Sequence, residues 1–326
     1  MKEKIAFRCD AGRDIGFGHL KRCLVLAKEL EKRMDIFFIS KSETNAIDMI
    51  KRNKFEVIQL DNKIGNEQEI DKIKEIINAQ SINKILIDLK KNISKGYIRR
   101  LKETGTKTIL LDNIGEGRLE ADVVIYPVAH SDETLFKGIQ GELYHGWSYI
   151  LIDKEFFGKR KKINKDKTRI LVSMGGSDVH NITPKIINEL RKIDRDFECT
   201  VVIGPGFKNQ SIKVDDDRFM IKKNVSNMAE LMLNSSIGII LFGVSAYEAA
   251  AARLPCILIT DSARNKKAAE KFKEFGTCIY SGGYKELNKN KIASQAESLL
   301  ENTDLRRKMK ITAQILKMKN LISSVI

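Results

Sequence analysis

The residues most able to do chemistry crowd into KIAFRCDAGRDIGFGHLKRC, positions 4–23, where His19 follows Gly12, Gly16 and Gly18 among Arg8, Asp10, Arg13, Asp14 and Arg22. Histidine ordinarily changes charge near neutral pH, so a neutral His19 within hydrogen-bond reach could take a proton from water. The glycines let the backbone turn tightly and approach a ligand without a Cβ in the way. Ile5, Ala6 and Phe7 form an apolar run that stops at Arg8 and Asp10, as a buried first strand does at a sheet edge. Leu20, Cys23, Leu24, Ala27 and Leu30 recur at helical spacing, which predicts a helix from about His19 to Lys32. Its N-terminus would offer free N–H groups and a positive dipole end to a phosphate or a developing negative charge. The same spacing also fits a plain strand-to-helix turn in which His19 is a cap or a surface residue.

In the second half, three strand ends turn through glycine: Ser173 to Gly176, Gly204 to Gly206, and Gly243 to Ser245. Such turns bring backbone N–H groups to the carboxyl edge of a parallel sheet, a setting that suits a nucleotide diphosphate. Within FGVSAYE (242–248), Ser245 and Ala246 would open a helix and Glu248 could accept two ribose hydroxyls. Equally, Ser245 could be an N-cap with Glu248 as its capping-box partner.

The elements that must position these residues alternate. Strands at 35–40, 55–60, 84–89, 108–113 and 121–127 are interleaved with helices, including 67–80 and 95–103. Strand runs apolar on both faces argue a parallel, doubly wound sheet. Asp88 and Asp112 each end a strand, where such sheets place ligands and where an aspartate can also simply cap a turn. The charged stretch KEFFGKRKKINKDK reads as a linker at 154–167, dividing a domain at 1–153 from one at 168–326. In the second domain, strands are expected at 168–176, 199–206, 237–243, 254–260 and 277–282, with a short strand and then a helix over 226–234 in the stretch 220–235. Helices are expected at 182–192, from Ser245, and at 264–275, 286–301 and 304–319.

The 326 residues carry 58 Lys and Arg against 43 Asp and Glu, a net charge of +15, with 42% apolar residues. Lysine spread along amphipathic helices makes a solvated face, an anionic substrate or a membrane surface being the other readings of the charge, and no nucleic-acid motif accompanies it. No run is long enough for a membrane span, and the charged start is not followed by a signal-peptide core, so a cytoplasmic protein without stable membrane insertion is expected. Five scattered cysteines and four separated histidines lack metal-ligand spacing, so neither a metal site nor a cofactor is expected.

The pattern RxDxxxxxGxGHxxRC at 8–23 resembles the amino-terminal signature of the UDP-2,4-diacetamido-2,4,6-trideoxy-β-L-altropyranose hydrolases (PseG type) and their relatives in surface-polysaccharide synthesis. GGSDxxNxT at 175–183 and GxSxxEAxxxxxP at 243–255, followed by Asn265, are similar to the nucleotide-binding half of that family and of MurG-like glycosyltransferases. Phe242, Ser245, Val179 and Lys266 depart from the family pattern, which commonly has glycine, threonine, proline and glutamine there. The resemblance implies two Rossmann-like domains facing a cleft, the glycosyltransferase-B architecture. It implies His19 as the catalytic base; of the neighbours of His19, Asp10 could fix the imidazole tautomer and Arg13 could contact the substrate, with Gly16 and Gly18 shaping the loop. It further implies Ser173, Gly175, Gly176, Ser245 and Ala246 near the diphosphate, Glu248 on the ribose, backbone groups near Val225 and Met228 on the uracil, and Asn265 beside them. The implied reaction is metal-free hydrolysis of a UDP-linked amino-deoxysugar by a monomer. A MurG-like enzyme passing the sugar to a lipid or sugar acceptor is the alternative.

Overall fold

The computed structural model describes residues 2–128, 133–158, 168–287, 290–315 and 326. By its internal contacts the chain divides into two α/β units, the first running to Leu151 and taking in Ile326, the second beginning at Ile152.

The first unit runs β1 (Glu3–Cys9), α1 (Gly18–Leu30), β2 (Met34–Ser40), α2 (Thr44–Arg52), β3 (Glu56–Gln59), α3 (Asn66–Gln80), β4 (Lys84–Asp88), α4 (Lys95–Lys102), β5 (Lys107–Leu111), β6 (Val123–Tyr126) and β7 (Glu142–His145). Its seven strands pair in parallel in the order β3-β2-β1-β4-β5-β6-β7, so the winding reverses between β1 and β4. Strand β7 escapes sequence reading because ELYH is short, charged and not fully buried.

Side-chain alternation on β1 sorts the chemistry. Ile5, Phe7 and Cys9 join the core beneath α1, and Ala6 joins the opposite core with residues of α3 and α4. On β4, Leu86 belongs to the α1 side and Ile85 and Ile87 to the other. Asp88 therefore follows Leu86 toward α1, and Arg8 follows Ala6 toward α3 and α4.

The second unit runs β8 (Arg169–Ser173), α5 (Thr183–Leu190), β9 (Glu198–Ile203), β10 (Phe219–Lys223), α6 (Met228–Leu233), β11 (Ile237–Leu241), α7 (Val244–Ala251), β12 (Cys256–Thr260), α8 (Ala263–Glu274), β13 (Cys278–Gly283), α9 (Lys291–Glu301) and α10 (Thr303–Ile315). The six strands are again parallel, in the order β10-β9-β8-β11-β12-β13, with the reversal between β8 and β11. Of the stretch expected as a linker, Lys154–Phe157 forms a 3-10 turn that packs on α6 and α7, with Phe156 buried; residues 159–167 lie outside those described. Among the described residues no helix is long and apolar enough to cross a membrane.

Candidate functional site

Because the first sheet is parallel, the loops after β1, β2, β4 and β5 all emerge at one edge, and the crevice at the winding reversal opens between β1 and β4. The glycine loop after β1 closes on itself through paired bonds between the backbones of Gly12 and Gly16, at 3.3 and 2.8 Å. Gly16 sits at φ +86°, a conformation that suits glycine. The turn entering α2 braces this loop: Ser42 Oγ accepts from Ala11 N at 2.7 Å and Glu43 Oε1 from Arg13 N at 3.1 Å. A Cβ on Gly12 would lie 2.8 Å from the same Glu43 oxygen. Gly18 and His19 then open α1, whose N-terminus carries no side-chain cap. His19 is partly exposed, and the Arg13 side chain is exposed.

His19 Nδ1 lies 2.7 Å from Oδ1 of Asp88, the last residue of β4. A carboxylate only accepts, so Nδ1 carries the hydrogen of this bond, and in the neutral ring that leaves the lone pair on Nε2. Arg22, one turn further along α1, donates through Nε to Asp88 Oδ2 at 2.6 Å, through Nη2 to Asp88 Oδ1, and through Nη1 to Asp112 Oδ2 at 2.9 Å. The Cys23 thiol donates to Asp88 Oδ2 at 3.5 Å. Asp88 is fully buried. Burial alone would raise its pKa, but the charge of Arg22, with His19 beside it, outweighs this and holds the carboxyl well below the usual range.

Asp10 does not hold the imidazole. Arg8, completely buried, donates to both Asp10 oxygens at 2.5 and 2.9 Å, and the Lys41 amide donates to Asp10 Oδ1 at 2.7 Å. The expected tautomer role thus falls to Asp88, because side chains at Arg8 and Asp88 leave opposite faces of the sheet. On the Arg8 side lies a second charge network unforeseen from sequence. Glu69 of α3, fully buried, accepts from Arg8 Nε and from the Tyr97 hydroxyl on one oxygen, and pairs with Lys41 at 2.7 Å and Lys91 at 3.0 Å on the other. Burial pushes Glu69 up, yet Arg8 and the two lysines bring it down to about 2.

In the second unit the expected residues also gather at one sheet edge. Ser173 ends β8, Gly175 turns at φ +79°, and Gly206 N donates to Gly176 O at 2.9 Å, joining the turns after β8 and β9. Val225 lies between β10 and α6, and Met228 opens α6. Ser245 and Ala246 lie in the first turn of α7, and Glu248 is buried within the same helix. The N-cap of α7 is Gly243 and no side chain caps it, so Ser245 and Glu248 form no capping box. Asn265 in the first turn of α8 donates to Phe242 O at 3.4 Å and to Asp261 at 2.7 Å, tying α8 to the turn before α7. Asp178 of the GGSD motif accepts from the amides of Ile182 and Thr183, both at 2.8 Å, and so fixes the start of α5. Among the described residues, no three His, Cys, Asp or Glu side chains cluster as metal ligands.

No protein-family model matches the chain. It is similar to an uncharacterized protein of Methanocaldococcus jannaschii, with 32% identity over 275 residues, 78% of this chain and 55% of that protein. The chain thus spans little more than half the length of that relative. It has homologues bearing the names that its motifs resemble. One is a UDP-2,4-diacetamido-2,4,6-trideoxy-β-L-altropyranose hydrolase of Campylobacter jejuni, 28% identical over 72% of this chain and 85% of that protein. Another is the spore coat polysaccharide biosynthesis protein SpsG of Bacillus subtilis, 24% identical over 84% of this chain and 82% of that protein. Among solved structures, MurG of Acinetobacter baumannii superimposes with a TM-score of 0.69 at 12% identity, covering 99% of this chain and 97% of that one. The fold is that of glycosyltransferase-B proteins.

Proposed function

We propose that this protein hydrolyses a UDP-linked amino-deoxysugar to free sugar and UDP, in nonulosonic (pseudaminic-type) acid or surface-polysaccharide biosynthesis, with His19 as the general base. The observation that carries the proposal is the 2.7 Å contact between His19 Nδ1 and the buried Asp88 carboxylate: with Nδ1–H given to Asp88, Nε2 is the basic atom of the neutral ring. A water oxygen would bond to the anomeric carbon while the bond from that carbon to the diphosphate breaks. UDP keeps the electron pair, and the water proton passes to Nε2, leaving an imidazolium that Asp88 stabilises. The glycine turns after β8 and β9 and the start of α7 supply the backbone amides that would hold the leaving diphosphate, with Glu248 on the ribose and the Val225–Met228 segment on the base. The hydrolase from Campylobacter supports the hydrolytic reading, and the Bacillus protein supports the polysaccharide setting.

Acceptor dependence tests the proposal. With a UDP-linked amino-deoxysugar and no acceptor, steady release of UDP and free sugar over many turnovers is expected, unchanged by EDTA. A trickle of UDP accelerated many-fold by a lipid or sugar acceptor would instead identify a glycosyltransferase. Loss of activity in EDTA would show that amides alone do not hold the leaving group.

A further inference from the structure

A buried carboxylate beside an imidazole ordinarily favours the protonated ring, and a protonated ring cannot accept a proton. Asp88 orients His19 for the base role, while its charge also attracts a second proton to the ring. Arg22 alters this balance. Its Nε and Nη2 engage both Asp88 oxygens, and Nη2 also stands 3.1 Å from His19 Nδ1, a donor facing a donor. Asp112 on Nη1 holds the guanidinium in place from the other side. All three nitrogens of the fork thus have a carboxylate partner, which leaves Arg22 ill placed to bind a substrate phosphate.

We propose that Arg22 is a positioning residue: it occupies both oxygens of Asp88 and sets its own charge against a second positive charge at Nδ1, leaving the ring available for the water proton. The other charged groups near the imidazole do not substitute for it. Asp10 is taken up by Arg8 and the Lys41 amide, and Arg13 and Asp14 are exposed in the glycine loop. Cys9 and Cys23 are buried thiols, the latter pushed well up by burial and so uncharged. Asp112 acts in the opposite sense, because it draws the charge of Arg22 away from the ring.

The proposal rests on the hydrolase reading for its kinetic test but not for its spectroscopic one. Histidine ring NMR against pH, on the full chain, reports the protonated fraction of His19 directly. In Arg22→Gln that fraction should rise throughout the neutral range, and the acid limb of kcat/KM should move to higher pH, with activity near pH 6 falling about tenfold more than activity near pH 8. Arg22→Lys retains a charge without the planar fork, so it should restore the position of the acid limb while recovering only part of kcat. Asp112→Asn should move both readouts the opposite way, which general damage to the fold would not do. An acid limb and a protonated fraction unmoved in Asp112→Asn, with Arg22→Gln either unmoved or unfolded, would overturn the proposal. If the wild type hydrolyses no UDP-sugar, the hydrolase reading fails, while the NMR comparison still decides the role of Arg22.

Discussion

Replacing His19 by asparagine removes the proposed proton acceptor from the start of α1 but leaves the second unit untouched. Turnover should fall by roughly a hundredfold or more, with UDP affinity by calorimetry nearly unchanged. Glu248→Ala should do the reverse, weakening UDP by about 1.5–3 kcal/mol, the range for hydrogen bonds to a charged group. Concurrent loss of UDP affinity in the His19 variant would make that residue a binding group and remove it from the chemistry. His19 and Asp88 both stand out in the sequence, one behind a glycine loop and one at a strand end. Their partnership does not, because it depends on β4 pairing with β1 across the intervening β2 and β3, which local spacing cannot encode. Glu69 is less visible still: in NEQEIDKIKE it looks like any other charge on a solvated helix face, yet it is fully buried.

The two glycine turns differ in how much they tolerate. A Cβ at Gly12 would meet the end of the exposed, flexible Glu43 side chain at 2.8 Å, whereas one at Gly204 would meet the backbone oxygen of Gly176 at 2.4 Å. A side chain can swing aside and a backbone turn cannot, so Gly204→Ala should cost about 1–3 kcal/mol, as overpacking does, and Gly12→Ala clearly less. Urea unfolding of the two variants compares them; equal losses would mean that the turns after β8 and β9 yield more readily than their contact suggests. Strands and helices were legible because both cores impose period: apolar runs for strands buried on two faces, and spacings of three and four for helices. Boundaries were less so, with the expected strand 108–113 closing at Leu111 and Asp112 turning through φ +53°. Edge strand β7, with little apolar surface to bury, left no periodic signal.

At the scale of the whole molecule, alternating β and α segments predicted two parallel α/β units, while the return of Ile326 onto the core of the first unit had no local signature. The buried networks should make stability depend on acid. Glu69 has its pKa depressed from 4.5 to about 2 in the folded protein. Its contribution is complete above the unfolded value and is lost as pH falls toward the folded one, amounting to about 3 kcal/mol. Asp88, depressed for the same kind of reason, acts in the same direction. Denaturant unfolding between pH 5 and 2 should therefore be steeply pH-dependent in the wild type and flatter in Glu69→Gln; identical slopes would show that the network adds nothing beyond its unfolded-state charges. Another consequence comes from the five cysteines, all buried thiols, with Cys9 and Cys23 in the first unit and Cys199, Cys256 and Cys278 in the second. An alkylating pulse should pass over the native protein and mark each unit only when it opens, so mass spectrometry of pulsed samples can time the two openings separately, with no dye or tag introduced.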